Sequence, residues 1–291
     1  MDIFLQIIFN SLEAGGITAL ATMGVILIFR TSSAFNYAQG VISMFCAFAA
    51  AHMLHNTGMN VFMATGFGLL VAIAVGVVID IVIISRTRNM RSISKQIITL
   101  GLVIVLLGLA PMFFGVNNLT FERLAPSTTI TILGANTSVS AIVNVLIGLG
   151  IMAALFFIIQ RTKWGLAVRA TASNGLVARM MGIPTPVITM AAWAIAAALG
   201  TMAALMHAPM AMVSPTMMDS IQITALLACV LGGLGTFHGP VIAAYLIIFA
   251  RSILTFYVSS VWAESIVFLL ILVALIFAPN GLFGKKVVKK V

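Results

Sequence analysis

Apolar residues run along this chain in long blocks separated by short polar stretches. A helix that crosses about 30 Å of hydrocarbon needs about 20 mostly apolar residues, at 1.5 Å of rise each. By that measure helices are expected near 3–29, 35–54, 61–84, 97–114, 139–159, 187–207, 222–234, 240–259 and 263–278. The block at 222–234 is too short to cross comfortably, and those at 35–54 and 240–259 are flanked by Gly, Asn or Pro. The expected fold is an all-α integral membrane protein: a polytopic bundle of about eight or nine transmembrane or re-entrant helices, some of them broken, forming one domain over residues 1–291. No close internal repeat is visible, although a divergent inverted pair does not show at this level.

Composition places lipid around the whole bundle. Of 291 residues 62% are hydrophobic and 7% charged, where a water-soluble domain carries about 25% charged residues. Mean hydropathy is +1.20. The longest polar stretches, 85–96, 115–138 and 160–186, are each shorter than the roughly 50 residues a domain with its own core needs. No Lys or Arg precedes Arg30, so the start lacks the basic region of a cleaved signal peptide, and no lipidation or retention signal is recognisable. Cys46 and Cys229 sit in apolar blocks and read as small buried hydrophobes.

A net charge of +9 points to topology and not to nucleic acid, because thirteen of the fifteen basic residues fall in four places. These are Arg30; Arg86, Arg88, Arg91 and Lys95; Arg161, Lys163, Arg169 and Arg179; and Lys285, Lys286, Lys289 and Lys290. All four share one side if nine segments cross; the positive-inside rule makes that side and the C-terminus cytoplasmic and the N-terminus external. An eight-segment count requires one re-entrant element. The stretch 115–138 is then an extracytoplasmic loop, in which Thr128 to Ile132, between Pro126 and Gly134, predict a short hairpin.

Polar chemistry inside apolar sequence is concentrated in a few places. Two breaks, Ser32 to Gly40 and Gly232 to Pro240, interrupt apolar blocks. Irregular backbone at membrane depth must be buried in protein or line a watery cavity, so Asn36, Gln39, Gly40, Gly232, Gly233, Gly235 and Thr236 are candidates for a translocation pathway, unless the breaks are tight interfacial turns. Glu13, Asp80 and Arg251 are ionisable residues within apolar blocks and should face the bundle interior. Glu13, flanked by Asn10, Ser11, Gly15 and Gly16, is either a pathway residue or a partner in an interhelical hydrogen bond. Asp80 lies beside a basic cluster and reads as a paired interfacial charge; Arg251 either pairs with an acid or snorkels.

The basic loop at 160–186 predicts a short surface helix, started by Thr162, stopped by Gly182 and Pro184, with Leu176, Met180 and Ile183 on one face. On physical grounds it lies on headgroups or docks in a partner's groove. No nucleophile motif or helical metal pair is present, and His52, His55, His207 and His238 are scattered. The phosphate-binding pattern is also missing, so no cofactor is expected on this chain, and any ATP is bound by another subunit.

Four segments in order resemble one family, the permease subunits of ATP-binding-cassette importers for branched-chain amino acids and related amides. Asn36-Tyr37-Ala38-Gln39-Gly40 is similar to its N-F-A-H-G segment. Gly165, Arg169-Ala170, Asn174, Ala178 and Gly182-Ile183 match its G-x3-R-A-x3-N-x3-A-x3-G-I loop. Gly232-Gly233-Leu234-Gly235-Thr236 and Pro279-Asn280-Gly281-Leu282-Phe283-Gly284 resemble its G-G-x-G-[ST] and P-x-G-L-F-G segments. Tyr37 and Gln39 depart from the usual Phe and His, Pro240 follows Gly239, and Glu13 is unexpected in the first helix.

The resemblance implies a multi-pass protein of the bacterial plasma membrane. Its expected partners are a second permease subunit, either a related chain or a second copy, cytoplasmic ATP-binding subunits that carry ATP and Mg, and an external solute-binding protein. It also makes Gly165, Arg169, Ala170, Asn174, Ala178, Gly182 and Ile183 the element that couples to the ATPase. The alternative function is a self-sufficient channel or secondary carrier, with Glu13 as its only candidate coupling carboxylate.

Overall fold

A computed structural model describes residues 2–87, 90–132 and 135–284. Arg88, Lys285, Lys286, Lys289 and Lys290 of the basic clusters lie outside the described residues. Each of the nine apolar blocks is a helix: α1 Asp2–Ser32, α2 Gln39–Thr57, α3 Val61–Ile79, α4 Ser92–Phe114, α5 Val139–Arg161, α8 Thr185–Ala211, α9 Asp219–Gly232, α10 His238–Tyr257 and α11 Ala263–Phe277. Two further helices, α6 Lys163–Ser173 and α7 Gly175–Met180, occupy the long basic loop. A π turn, Asp80–Ile84, and a 3-10 turn, Ser85–Thr87, continue α3. Asp80 is 1% exposed at the start of that π turn.

Six helices among the described residues are long and apolar enough to cross a membrane: α1, α3 with its continuation, α4, α5, α8 and α10. The expected short block is α9, of 14 residues. Local chemistry sets the ends. Gly58, at φ 62, stops α2, and the Asn60 side chain accepts the Phe62 N–H at 3.2 Å to start α3. Ser138 accepts from Ala141 N at 3.1 Å to start α5. The expected hairpin is present, with β1 Thr129–Ile132 antiparallel to β2 Ala135–Ser138 and Thr129 opposite Ser138.

Pairings along the bundle give each helix its direction. At the start of α1 Gln6 Oε1 accepts the Asn136 N–H of the hairpin at 2.9 Å. Further along, Glu13 meets Asn144 of α5 and Gly16 lies beside Gly148, so α1 and α5 run side by side and end together. At that end Lys95 Nζ donates to Ser32 O at 3.3 Å. The α6–α7 pair follows, and Arg179 Nε donates to Thr185 Oγ1 at 2.7 Å where α8 begins. At the opposite end Val213, just beyond α8, exchanges two backbone hydrogen bonds with Leu119, at 2.8 and 3.1 Å. The described basic residues of the first three clusters therefore share one end of the bundle, here called the basic end.

These directions make α1 and α8 an antiparallel central pair. Helix α1 packs on α9 and α10 as α8 packs on α2 and α3, and α9 packs on α10 as α2 does on α3. Helices α4 and α11 follow each set. Exchanging α1–α4 with α8–α11 while turning the bundle upside down thus reproduces the packing, which is an inverted repeat. Small residues permit the close approaches that drive helix association in lipid. A Cβ on Gly76 of α3 would sit 2.7 Å from Trp193 O of α8.

Candidate functional site

The break after α1 carries the chain from the basic end back into the bundle. Ser33 turns it with φ 55, and its carbonyl accepts the Ser92 hydroxyl. The segment then climbs the first turns of α4, where Tyr37 N donates to Thr99 Oγ1 at 3.3 Å. Asn36 closes a local turn by accepting the Ala38 N–H at 3.0 Å, and its Nδ2 donates to Gln39 Oε1 at 3.2 Å.

At this point three helices meet. Gln39 Nε2 donates to the Ala196 carbonyl of α8 at 2.6 Å, Ser43 Oγ donates to Gln39 O at 2.7 Å, and Gln222 Nε2 of α9 donates to Asn36 O at 3.2 Å. Asn36 and Gln39 are 0% and 1% exposed. Glycines leave the room: a Cβ on Gly200 would stand 2.6 Å from Gln39 Nε2, one on Gly24 3.0 Å from the same atom, and one on Gly40 3.0 Å from Gln222 Cβ. Gly200 lies in the middle of α8 and Gly24 eight residues before the end of α1, so the node lies inside the bundle. There the N-termini of α2 and α9 approach each other and direct the positive ends of their dipoles into one region. The node is a knitted set of amides in which one acceptor, Gln222 Oε1, stays buried without a hydrogen-bond partner.

The second break is a different object. It turns at the basic end, with Gly232 and Gly239 in backbone contact and Thr236 Oγ1 accepting the Gly239 N–H at 3.2 Å. Gly233, at φ 94, faces Gly284 N at 2.9 Å from a would-be Cβ, and Leu282 N donates to Leu231 O at 2.7 Å. The two C-terminal motifs therefore form one packed knot. Arg30 fastens it by donating to Gly235 O and by lying 4.8 Å from the Phe237 ring centre. Within the inverted repeat, the counterpart of the first break is 212–218 and not 232–240. The structure brings Asn36, Gln39 and Gly40 together and holds Gly232, Gly233, Gly235 and Thr236 apart from them.

Glu13 belongs to neither break. Its Oε1 accepts Asn144 Nδ2 at 2.8 Å, joining α1 to α5, with Glu13 9% and Asn144 5% exposed. Arg251 has an acid partner: Nη2 is 3.4 Å from Glu264 Oε2, and Nη1 donates to Ser220 Oγ at 3.1 Å. The sequence reading missed Gln222, Ser43 and Gly200. Gln222 carried a signal, as a strongly polar side chain at the head of a block too short to cross.

The loop expected to hold one short helix holds two. Thr162 caps α6 by accepting the Gly165 N–H at 3.1 Å, and Gly165 has no space for a Cβ against Ile159 O. Arg169 Nη2 reaches Gln160 O at 3.4 Å. At Asn174 the chain turns to φ −158, and its Oδ1 accepts the N–H groups of Leu176 and Val177, both at 3.1 Å. Ala170 is half-buried and Ala178 buried. Gly182, at φ 81, ends α7, and Ile183 N closes the turn on Ala178 O at 3.0 Å. The elbow so formed exposes Leu176 (70%), Met180 (79%) and Met181 (78%) at the basic end.

An inverted repeat of membrane-crossing helices with half-helix ends meeting at a buried polar node is the architecture of a membrane transport protein. The family model described as branched-chain amino acid transport system / permease component matches residues 7–276, and the chain belongs to that family. It is similar to the probable branched-chain amino acid transport permease protein LivH of Methanocaldococcus jannaschii, 24% identical over 280 residues, 91% of this chain and 88% of that one. It is also similar to the high-affinity branched-chain amino acid transport system permease proteins LivH of Salmonella typhimurium and BraD of Pseudomonas aeruginosa. Each is 25% identical and covers 99% of this chain and 98% of the relative. No solved structure matches the chain.

Proposed function

We propose that this chain is the pathway-forming permease subunit of an ATP-binding-cassette importer for branched-chain amino acids or closely related amino acids and amides. Its basic end faces the cytoplasm, and its partners are a second permease subunit, separate ATP-binding subunits and an external solute-binding protein. The carrying observation is the α6–α7 elbow. Side chains as apolar as Leu176, Met180 and Met181, exposed beside Arg169 and Arg179 on the basic end, suit a helix-in-groove contact with a protein. Two capped helices and the positive-φ Gly182 fix the elbow to the starts of α6 and α8, so force on it is delivered to α5 and α8. Movement of α8 reaches the amide node through Ala196 and Gly200. ATP-driven closure of the partner then biases the bundle between two states by offering the elbow different contacts in each.

The test is a mild-detergent pull-down of the tagged protein from its native membrane, with mass spectrometry and an ATPase assay on the eluate. An ATP-binding subunit should be recovered, and Leu176→Glu with Met180→Glu should lose it. Arg169→Ala and Gly182→Val should insert normally and yet uncouple uptake from ATP. Protein that comes out alone and still moves solute in vesicles would establish a channel or carrier instead.

A further inference from the structure

The inverted repeat carries two corresponding grooves of nearly equal size, and their linings differ in kind. Between α3 and α8, with Ile151 of α5 at its side, lies a groove of about 390 Å³, lined by side chains such as Leu69, Ile73, Ile195 and Met202 without a charged group. Its counterpart between α1 and α10, about 380 Å³, is lined by Asn10, Arg251, Ser252 and Thr255 together with apolar residues including Ile7 and Phe256. Both volumes fall within the range of small-ligand sites. The apolar groove is suited to acyl chains. The polar side chains of the second groove, Asn10, Arg251, Ser252 and Thr255, suit it to water or solute.

Arg251, in that wall, is half of a neutral pair whose acid, Glu264 of α11, stands behind the lining. Arg251 bonds Ser220 through Nη1 and Glu264 through Nη2, and Ser220 Oγ donates to Glu264 Oε1 at 3.3 Å. A guanidinium has five N–H donors, so those not used by Ser220 and Glu264 remain for a carboxylate in the groove. A zwitterion adds no net charge to a neutral pair, whereas an anion or a cation leaves one charge without an opposite partner.

We infer that the groove between α1 and α10 is a solute subsite for a zwitterionic amino acid. Arg251 receives its carboxylate, Glu264 balances its ammonium, and an apolar side chain lies along Ile7 and Phe256. This rests on the proposed function and extends it by naming the face of the bundle that solute touches and the recognition charges.

The test labels Ser252→Cys, and separately Thr255→Cys, in the assembled importer with a charged methanethiosulfonate, which reacts with thiols in water. The native Cys46 and Cys229 are buried. Both introduced thiols should react, and L-leucine at about ten times its dissociation constant should slow labelling about tenfold, in proportion to occupancy. Ile73→Cys in the apolar groove should react with a membrane-soluble maleimide alone. Adding Glu264→Gln should let 4-methylpentanoate, leucine without its amino group, protect better than it does with Glu264 present.

Reaction of the Ser252 and Thr255 variants with the maleimide alone would identify a lipid-facing groove and overturn the inference. Labelling with no protection by L-leucine, while the unsubstituted importer takes up L-leucine normally, would overturn this inference alone. An unsubstituted importer that takes up no branched-chain amino acid and no related amino acid or amide would overturn the proposed function and this inference with it.

Discussion

Gly200 shows how much of the node depends on one absent methyl group. A Cβ there would stand 2.6 Å from Gln39 Nε2 and closer still to Ser43 Oγ, so Gly200→Val forces Gln39 away from Ala196 O. Overpacking of this kind costs about 1–3 kcal/mol, and the midpoint of thermal unfolding of the purified complex should fall accordingly. Glu13 is a milder case. Glu13→Gln keeps an acceptor for Asn144 Nδ2 and should leave expression and uptake close to the parent. Glu13→Ala loses an interhelical hydrogen bond worth about 0.6–2 kcal/mol in a membrane bundle and should lower the same midpoint. A large change in solute preference in Glu13→Gln would instead put Glu13 in the pathway. Asn36 and Gln39 were legible as polar residues in a broken block. Their partners were not, because no local pattern tells which carbonyl of α8 or which amide of α9 will arrive beside them. Arg251 was legible only as a residue needing a partner; Glu264 is supplied by the next helix, and the connection between the two sets which pair forms.

Helix lengths were legible nearly throughout, because hydrocarbon thickness imposes one length on every crossing segment. The elbow was less so. Its start at Thr162 and stop at Gly182 follow cap rules, but the kink at Asn174 divides what the apolar spacing presents as a single helix. The signal was the pair Asn174-Gly175, a capping side chain followed by a residue without a Cβ. Replacing an Asn cap by Ala costs about 0.5–2 kcal/mol, a large share of what holds a six-residue helix. Asn174→Ala should therefore loosen α7 and reduce the ATP-binding subunit recovered in a pull-down, while Asn174→Asp, which still accepts from Leu176 and Val177, should recover the parental amount.

At the scale of the molecule the inverted repeat was invisible in the residues, since packing, and not identity, relates its halves: Gly24 of α1 has its structural counterpart near Gly200 of α8, but the surrounding sequences are unlike. The charge pattern, by contrast, grouped its basic residues at one end, where the described members of the first three clusters lie, and in the proposed orientation that end faces the cytoplasm. A cysteine placed at Ser127, in the loop before the hairpin, should be labelled on intact cells by a reagent that cannot cross the membrane. One placed at Ser173, at the elbow, should be labelled only after the cells are opened.

The burial of α1 also orders events in time. It precedes the other spans in chain order, and 78% of its most apolar stretch is buried, more than in any other span described. Its neighbours α8, α9 and α10 are made late, and of the described helices α11 alone follows them. At about 5–20 residues per second, α1 waits on the order of 10–50 s before its final partners exist. Throughout that interval Glu13 needs a host other than the finished bundle, whereas the hydroxyls of Ser11, Thr18 and Thr22 already bond carbonyls of α1 itself. Asn144 of α5 is the first native partner to reach Glu13, so the α1–α5 contact holds the earliest span in place while the rest of the chain is still being made.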